Sequence, residues 1–393
     1  MNDRLNMQNS IAKLLDNVTV EWKALGDVAE VGTGNANRQD ENEHGQYPFY
    51  VRSKNILKSK NFQFDETAIV IPGEGGIGDI FHYIEGKYAL HQRAYRIHVF
   101  SNKLNTKYLY YLMCDKFKQY ILTKCVGATS ISIRKPMLEQ FQIPIPPLHI
   151  QTEIVRILDT FTALTAELTA ELTTRKKQYN YYRDKLLTFQ EDEVEWKALG
   201  EVGQLIRGNG LQKKDFTETG VPAIHYGQIY TYYGTFATET KSFVSSELAK
   251  KLKKAKYGDI LLAGTSENIK DVMTPLGWLG GEIVFSGDMY AFRPNNVVNT
   301  KYLTYLLQTT HFQKFKEKYA NGTKVIRIQS EKFLTFNIPI PPLKEQARIV
   351  EILDKFDVLT NSITEGLPRE IELRQKQYEY YRNLLLNFSV ETQ

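Results

Sequence analysis

The sequence predicts an α+β chain built twice: two mixed α/β domains separated by two long antiparallel coiled-coil helices and related by a pseudo-twofold axis. Three observations lead there. In Gln151–Phe189, the residues Ile154, Leu158, Phe161, Thr165, Leu168, Leu172, Arg175, Tyr179, Tyr182, Leu186 and Phe189 follow one another in steps of four and three, the spacing of a helix that lies along another helix. Some 40 residues of helix span roughly 60 Å. The stretch RKKQYNYYRDKLLTF at 175–189 returns as RQKQYEYYRNLLLNF at 374–388, so the partner helix is in the same chain. Finally, VEWKALG occurs at Val20–Gly26 and again at Val194–Gly200, while FQIPIPPL at Phe141–Leu148 returns as FNIPIPPL at Phe336–Leu343, the mark of an internal duplication.

Taken in order, residues 1–18 form an N-terminal segment whose IAKLLDN resembles the KLLTFQ end of the first long helix. Residues 19–147 make the first mixed domain, 148–190 the first long helix, 191–342 the second mixed domain, and 343–393 the second long helix with a tail. The domains share a frame, for NTKYLYYL at Asn105–Leu112 matches NTKYLTYL at Asn299–Leu306, but residues 32–90 and 206–285 hardly align. AIVIPGEGGIGDI at 68–80 and YGDILLAGTSENI at 257–269 read as short strands running into glycine-rich turns. Helical pattern returns at 106–123 and 300–319, and a basic helix with five lysines is expected over Leu248–Lys256. Pro146-Pro147 and Pro341-Pro342 end strand pairing and sit where a helix can begin. Since the first helix starts at one domain and ends at the other, antiparallel packing returns the second toward the first domain. Gly366-Leu367-Pro368 lies where the second copy carries four extra residues, a stutter at which Pro368 should kink or break the helix.

With 393 residues, 42% of them apolar and 24% charged, the chain has the composition of a folded, multidomain protein. No apolar run approaches the roughly 18–20 residues of a membrane span, and the first thirty residues lack a basic start followed by an apolar stretch, so a cytoplasmic location is expected. Cys114 and Cys125 read as buried thiols rather than a bridge, and no histidines are spaced to complete a zinc site with them. The net charge of +5 is unevenly spread: residues 19–145 hold 16 Lys/Arg against 13 Asp/Glu and residues 194–341 hold 19 against 13, leaving −4 for the rest. A basic surplus in the two globular blocks suits a polyanionic partner, and equally suits ordinary solubility charge.

Catalytic motifs fail on context. Gly73, Gly75 and Gly78 satisfy G-x-G-x-x-G after a strand, but no amphipathic helix follows and no acidic residue stands where a ribose would need one, so the segment reads as a turn. The Ile-Pro-Pro-Leu runs lack both the amide or acid and the aromatic of an amino-methyltransferase loop. A P-loop and a metal-dependent nuclease cluster are likewise missing. What remains are polar loops: Thr33, Asn35, Arg38, Lys54, Gln92, Arg93, Ser130 and Arg134 in the first block, and Arg207, Lys213, Lys214, His225, Gln228, Thr265, Ser266, Asn268, Lys324 and Arg327 in the second. Arginine pairs with guanine, asparagine and glutamine with adenine, and lysine, serine and threonine suit phosphates, so these are candidate DNA contacts, although any one such loop can be plain surface. Tyr179, Tyr182, Tyr378 and Tyr381 recur at helical spacing and serve core or partner packing.

Two unlike domains, each followed by a nearly identical long helix, resemble the DNA-specificity subunit of type I restriction-modification enzymes. The tandem Thr165-Ala166-Glu167-Leu168 and Thr169-Ala170-Glu171-Leu172, RKKQYNYYRDKLL and SITEGLPREIELRQKQYEYYR look like the conserved regions of the IC class. The resemblance implies two target-recognition domains on a non-catalytic subunit that binds double-stranded DNA, two methyltransferase subunits and, in the full complex, two motor-nuclease subunits. It also implies that each domain reads half of a split site, that the helices set the spacer, and that S-adenosylmethionine, ATP and Mg²⁺ belong to the partner subunits, which methylate adenine. The competing reading is a non-catalytic scaffold whose duplicated domains bind proteins; a nucleotide enzyme built on Gly73–Gly78 is the third.

Overall fold

The computed structural model describes residues 2–124, 132–362 and 364–388. The chain divides into two compact units, residues 1–165 with 374–393, and residues 166–373.

In the first unit, α1 (Asn2–Leu15) precedes β1 (Glu21–Ala24), β2 (Ala29–Thr33), β3 (Tyr47–Tyr50), β4 (Leu57–Ser59), β5 (Phe64–Pro72), β6 (His82–Leu90) and β7 (Ala94–Val99). Helices α2 (Thr106–Leu112), α3 (Lys118–Lys124) and α4 (Lys135–Glu139) follow, then β8 (Gln142–Ile145) and the 39-residue α5 (Leu148–Leu186). The helical stretch expected over 106–123 is present, with a π turn at Met113–Phe117 joining its halves. Asn105 starts it, its Oδ1 accepting from the backbone N–H of Lys107 and Tyr108. The main sheet runs β2-β7-β5-β6-β3-β4. Its alternate residues Val31, Ile69 and Ile97 are buried with Leu109, Phe117 and Ile143 beneath the start of α5, where Ile154 and Leu158 are fully buried.

The two repeated border motifs turn out to be partners: β1 pairs antiparallel with β8, Glu21 opposite Ile145 and Ala24 opposite Gln142. Pro144 is tolerated because the ribbon has only two strands and the missing N–H can face outward. Pro147 then accepts from the N–H of Ile150 and Gln151 and so starts α5.

The second unit continues with β9 (Glu195–Ala198), α6 (Leu199–Val202), β10 (Gly203–Arg207), β11 (Val221–Ile224), α7 (Tyr226–Thr231), β12 (Phe236–Ala237), β13 (Ser242–Val244), α8 (Ser246–Ala249), β14 (Lys254–Ala255), β15 (Ile260–Ala263) and β16 (Thr265–Ser266). Then come β17 (Pro275–Trp278), β18 (Ile283–Phe285), β19 (Met289–Pro294), α9 (Thr300–Leu306), α10 (Thr310–Tyr319), β20 (Ile326–Arg327), α11 (Ser330–Leu334), β21 (Asn337–Ile340), α12 (Leu343–Asn361) and α13 (Gly366–Leu385), which from residue 374 onward belongs to the first unit. Its sheet order β10-β19-β15-β17 repeats β2-β7-β5-β6 of the first unit. The parallel pair of β3 with β6 is likewise answered by β11 with β18. Sequences that scarcely align therefore fill one frame.

Each unit also brings the start of one long helical stretch against the end of the other. In the first, Phe161 of α5 stacks on Tyr381 at 5.4 Å between ring centres; in the second, Tyr182 of α5 stacks on Phe356 of α12 at 5.7 Å. The second long stretch is two helices: α12 ends at Asn361, Ser362 Oγ accepts from the N–H of Glu365, and Gly366 resumes with φ +73°. The break expected at Pro368 thus lies before it, and Pro368 occupies the first turn of α13, where its lack of an N–H costs nothing.

One expectation is corrected. No basic helix spans 248–256: α8 is only Ser246–Ala249, and Lys254–Ala255 is the strand β14, held against Val284 and Ile283. Tyr179 and Tyr381, expected in core or partner packing, are 4% and 1% exposed and complete the cores of their own units. Tyr378 is half-buried against the first core, with the Arg382 guanidinium over its ring, which leaves Tyr182, 43% exposed, and its neighbour Tyr181, 60% exposed. Cys114 is largely buried, which pushes its thiol up to about 12; Cys125 lies outside the described residues.

Candidate nucleic-acid interface

In the first unit, five loops meet at one edge of the main sheet. β2 ends at Thr33, and Gly34 lies so close to the Leu90 carbonyl that a Cβ would stand 1.8 Å from its oxygen. That approach lets the Ala36 N–H reach the Leu90 carbonyl at 3.2 Å and the Gln92 N–H reach the Ala36 carbonyl at 2.9 Å. The Gln92 side chain then donates to Asn37 Oδ1 at 2.5 Å. β5 is followed by Gly73, whose N–H donates to the Arg93 carbonyl and whose carbonyl accepts from the N–H of Ile133. Glu74, bridged to Ser132, receives Nη1 of Arg52 at 2.8 Å and Nη1 of Arg93 at 3.2 Å. Burial and the charges of Arg52 and Arg93 lower the pKa of His91, and its Nδ1 accepts from the Arg93 N–H at 3.0 Å.

Thr33, Asn35, Arg38, Lys54, Gln92, Arg93 and Arg134 are all exposed on these loops; Arg38 pairs with Glu41, and Ser130 lies outside the described residues. Glu74 was not among the expected contacts, and Arg52 was expected only as part of the polar loop 52–55. The Arg-Ser-Lys-Asn composition of that loop pointed to Arg52, whereas nothing local marked a lone acid in a glycine turn.

The second unit builds the same edge from other residues. Arg207 stands opposite Tyr290 in the sheet, as Thr33 stands opposite Tyr95. Gly264 donates to the Asp288 carbonyl as Gly73 does to that of Arg93, and at either glycine a Cβ would press on the ring of the following tyrosine, Tyr290 or Tyr95. Thr265 pairs with Arg327 where Glu74 bridges Ser132. A cleft of about 670 Å³ is lined by Arg207, Tyr290, Asn321, Val325 and Arg327. Arg207, Lys213, Lys214, Lys324 and Arg327 are exposed, and no carboxylate among the described residues pairs with them.

Other expected contacts in this unit serve the fold. Gln228 accepts from the His225 N–H at 2.9 Å and donates to Ser242 at 2.6 Å, so its amide is used on both sides. Asn268 is likewise engaged twice by Asp271, and Thr265 is buried in its strand pair. His225 caps α7, its ring accepting from Gly227, and burial lowers its pKa. Ser266 accepts from the Asn268 N–H. The glycine fingerprint is a turn, with Gly75, Gly76 and Gly78 at φ +68°, +57° and +73°, and β6 follows it in place of a helix. Among the described residues no cluster of His, Cys, Asp and Glu could hold a metal ion, and no helix is long and apolar enough to cross a membrane.

The type I restriction modification DNA specificity domain matches the chain twice, at residues 17–175 and 191–373. A specificity subunit of the Escherichia coli type I restriction enzymes EcoR124I and EcoR124II is 36% identical over 401 residues, covering 96% of each chain. A type I restriction enzyme specificity subunit from Haemophilus influenzae is 36% identical over 98% of this chain and all of its own. The fold matches the crystal structure of a type I restriction-modification S subunit from M. genitalium with a TM-score of 0.59 at 16% identity, over 97% of this chain and 99% of that one. The chain belongs to the type I restriction-modification DNA specificity family, as a non-catalytic specificity subunit with two DNA-recognition domains.

Proposed function

We propose that the chain binds a split double-stranded DNA sequence, one half-site at the loop edge of each mixed domain, and that its helices dock methyltransferase subunits and, with them, the motor-nuclease subunits. One observation carries this reading: two copies of one sheet frame present the same edge, with Thr33 and its neighbours in one and Arg207 and its neighbours in the other. A shared frame with unlike edge residues suits two unlike half-sites. In this reading the domains run over 19–147 and 191–342, and the exposed Tyr181 and Tyr182 belong to the surface that meets a methyltransferase subunit. S-adenosylmethionine, ATP and Mg²⁺ would be held by the partners, in the cytoplasm, for adenine methylation or cleavage.

The alternative scaffold reading separates in a salt titration of the chain, assembled with its methyltransferase subunits, on duplex DNA. Phosphate contacts make affinity fall steeply with ionic strength, with log K declining by about 0.9 per neutralised phosphate for each unit of log salt. Replacing Arg207 and Arg327 by alanine should flatten that slope or remove discrimination in one half-site. Affinity independent of salt in the unaltered complex would favour the scaffold.

A further inference from the structure

We infer that Arg52, Glu74 and Arg93 form a base-reading site of the first domain that takes the major-groove edge of guanine; this rests on the reading of that domain as a DNA half-site reader. The two arginines come from different loops, Arg52 after β3 and Arg93 from the turn between β6 and β7, yet both place Nη1 on the same oxygen of Glu74, at 2.8 and 3.2 Å. Each guanidinium therefore keeps Nη2 and Nε free, and among the described residues no other side-chain group holds them. That is the pair of donors which matches O6 and N7 of guanine.

The backbone that carries the carboxylate is held on both sides. Glu74 bridges Ser132, and the preceding Gly73 is bonded to Arg93 on one side and Ile133 on the other. The Arg93 backbone is held as well, its N–H bound to Nδ1 of His91 and the adjacent Gln92 tied to Asn37. Exposures of 44%, 37% and 56% for the Arg52, Glu74 and Arg93 side chains leave the cluster open to a ligand.

Charge decides which part of DNA it meets. A phosphate approaching the two arginines would also approach the carboxylate between them, whereas guanine offers two neutral acceptors. Glu74 thus orients the arginines and steers them away from the backbone toward base edges. The second domain has Thr265 at the corresponding place, paired with Arg327, so the device belongs to the first half-site alone. Exposed ion pairs of this kind add little to stability, so removing Glu74 should leave the domain folded.

The experiment uses the chain assembled with its methyltransferase subunits, unaltered and carrying Glu74→Gln or Arg93→Lys. Adenine methylation rates are measured on duplexes bearing the unaltered complex's own site and on the full set of single base-pair replacements. Each variant should lose about 10-fold or more of the discrimination at a G·C pair of the first half-site, with the second half-site unchanged. Binding of Glu74→Gln to unrelated duplex should stay level or rise, because a repelling charge is gone. A first half-site without a G·C pair, full discrimination retained in Glu74→Gln, or equal losses in both halves would overturn the inference. A site for the unaltered complex that is not split would instead overturn the reading beneath it.

Discussion

Gln151 and Gln346 hold the same three groups in each unit. Gln151 accepts from the Asn105 N–H and donates to the carbonyls of Lys103 and Pro146; Gln346 does so for Asn299, Val297 and Pro341. Both side chains are fully buried, so replacing either by leucine strands one donor and two acceptors. Each substitution should cost about 2–4 kcal/mol, read as a fall in the thermal midpoint of the purified complex, and a change under 0.5 kcal/mol would contradict that role. Asp357 gives a pH-dependent counterpart. Burial raises its pKa even though Thr235 and Asn361 donate to it at 2.6 and 2.9 Å, and Asp354 adds to the rise. A raised carboxylate holds its proton longer folded than unfolded. Its penalty therefore accrues as pH climbs from the unfolded value near 3.8 to the folded one, and stays in full above that. Asp357→Asn should raise the thermal midpoint at pH 7–8, with the gain shrinking as pH falls toward 4; a gain independent of pH would contradict it.

At the scale of elements, α5 is buried at both ends and not between. Ile154, Leu158 and Phe161 enter one core and Tyr179, with Leu187 just past the helix end, the other, while the tandem Thr-Ala-Glu-Leu repeats are half-buried or exposed throughout. A third copy of the repeat would lengthen the helix by about 6 Å and turn it about 40° beyond a full turn. If this helix sets the spacer, the recognised half-sites keep their bases and move apart by roughly one or two base pairs of 3.4 Å each. Mapping the site of such a variant checks this, and an unchanged spacer would count against the helix as ruler.

The helix was legible in the sequence because its heptads are regular and duplicated. The interruption after Asn361 was legible only in part: the four extra residues located it, but Ser362 caps the turn before Pro368 is reached. The basic stretch 248–256 misled because lysine count says nothing of periodicity, and Val284 and Ile283 draw Lys254 and Ala255 into a sheet.

For the whole molecule, the duplication was written in the border motifs, and their direct pairing as β1 with β8 and β9 with β21 explains why the borders stay alike while the interiors diverge. The common sheet order was hidden, since residues 32–90 and 206–285 share backbone hydrogen bonding rather than side chains. Among the candidate contacts, exposed arginines and lysines could be picked from composition. Which amides were already used by the fold could not, because Ser242 and Asp271 meet Gln228 and Asn268 only in three dimensions. The measurement that bears most directly on two readers in one chain is a map of methylated adenines on DNA modified by this subunit with its methyltransferase partners. Two separate readers give two short defined sequences separated by an unread stretch of constant length, with substitutions in the first domain altering one of them only. A single uninterrupted motif would contradict it.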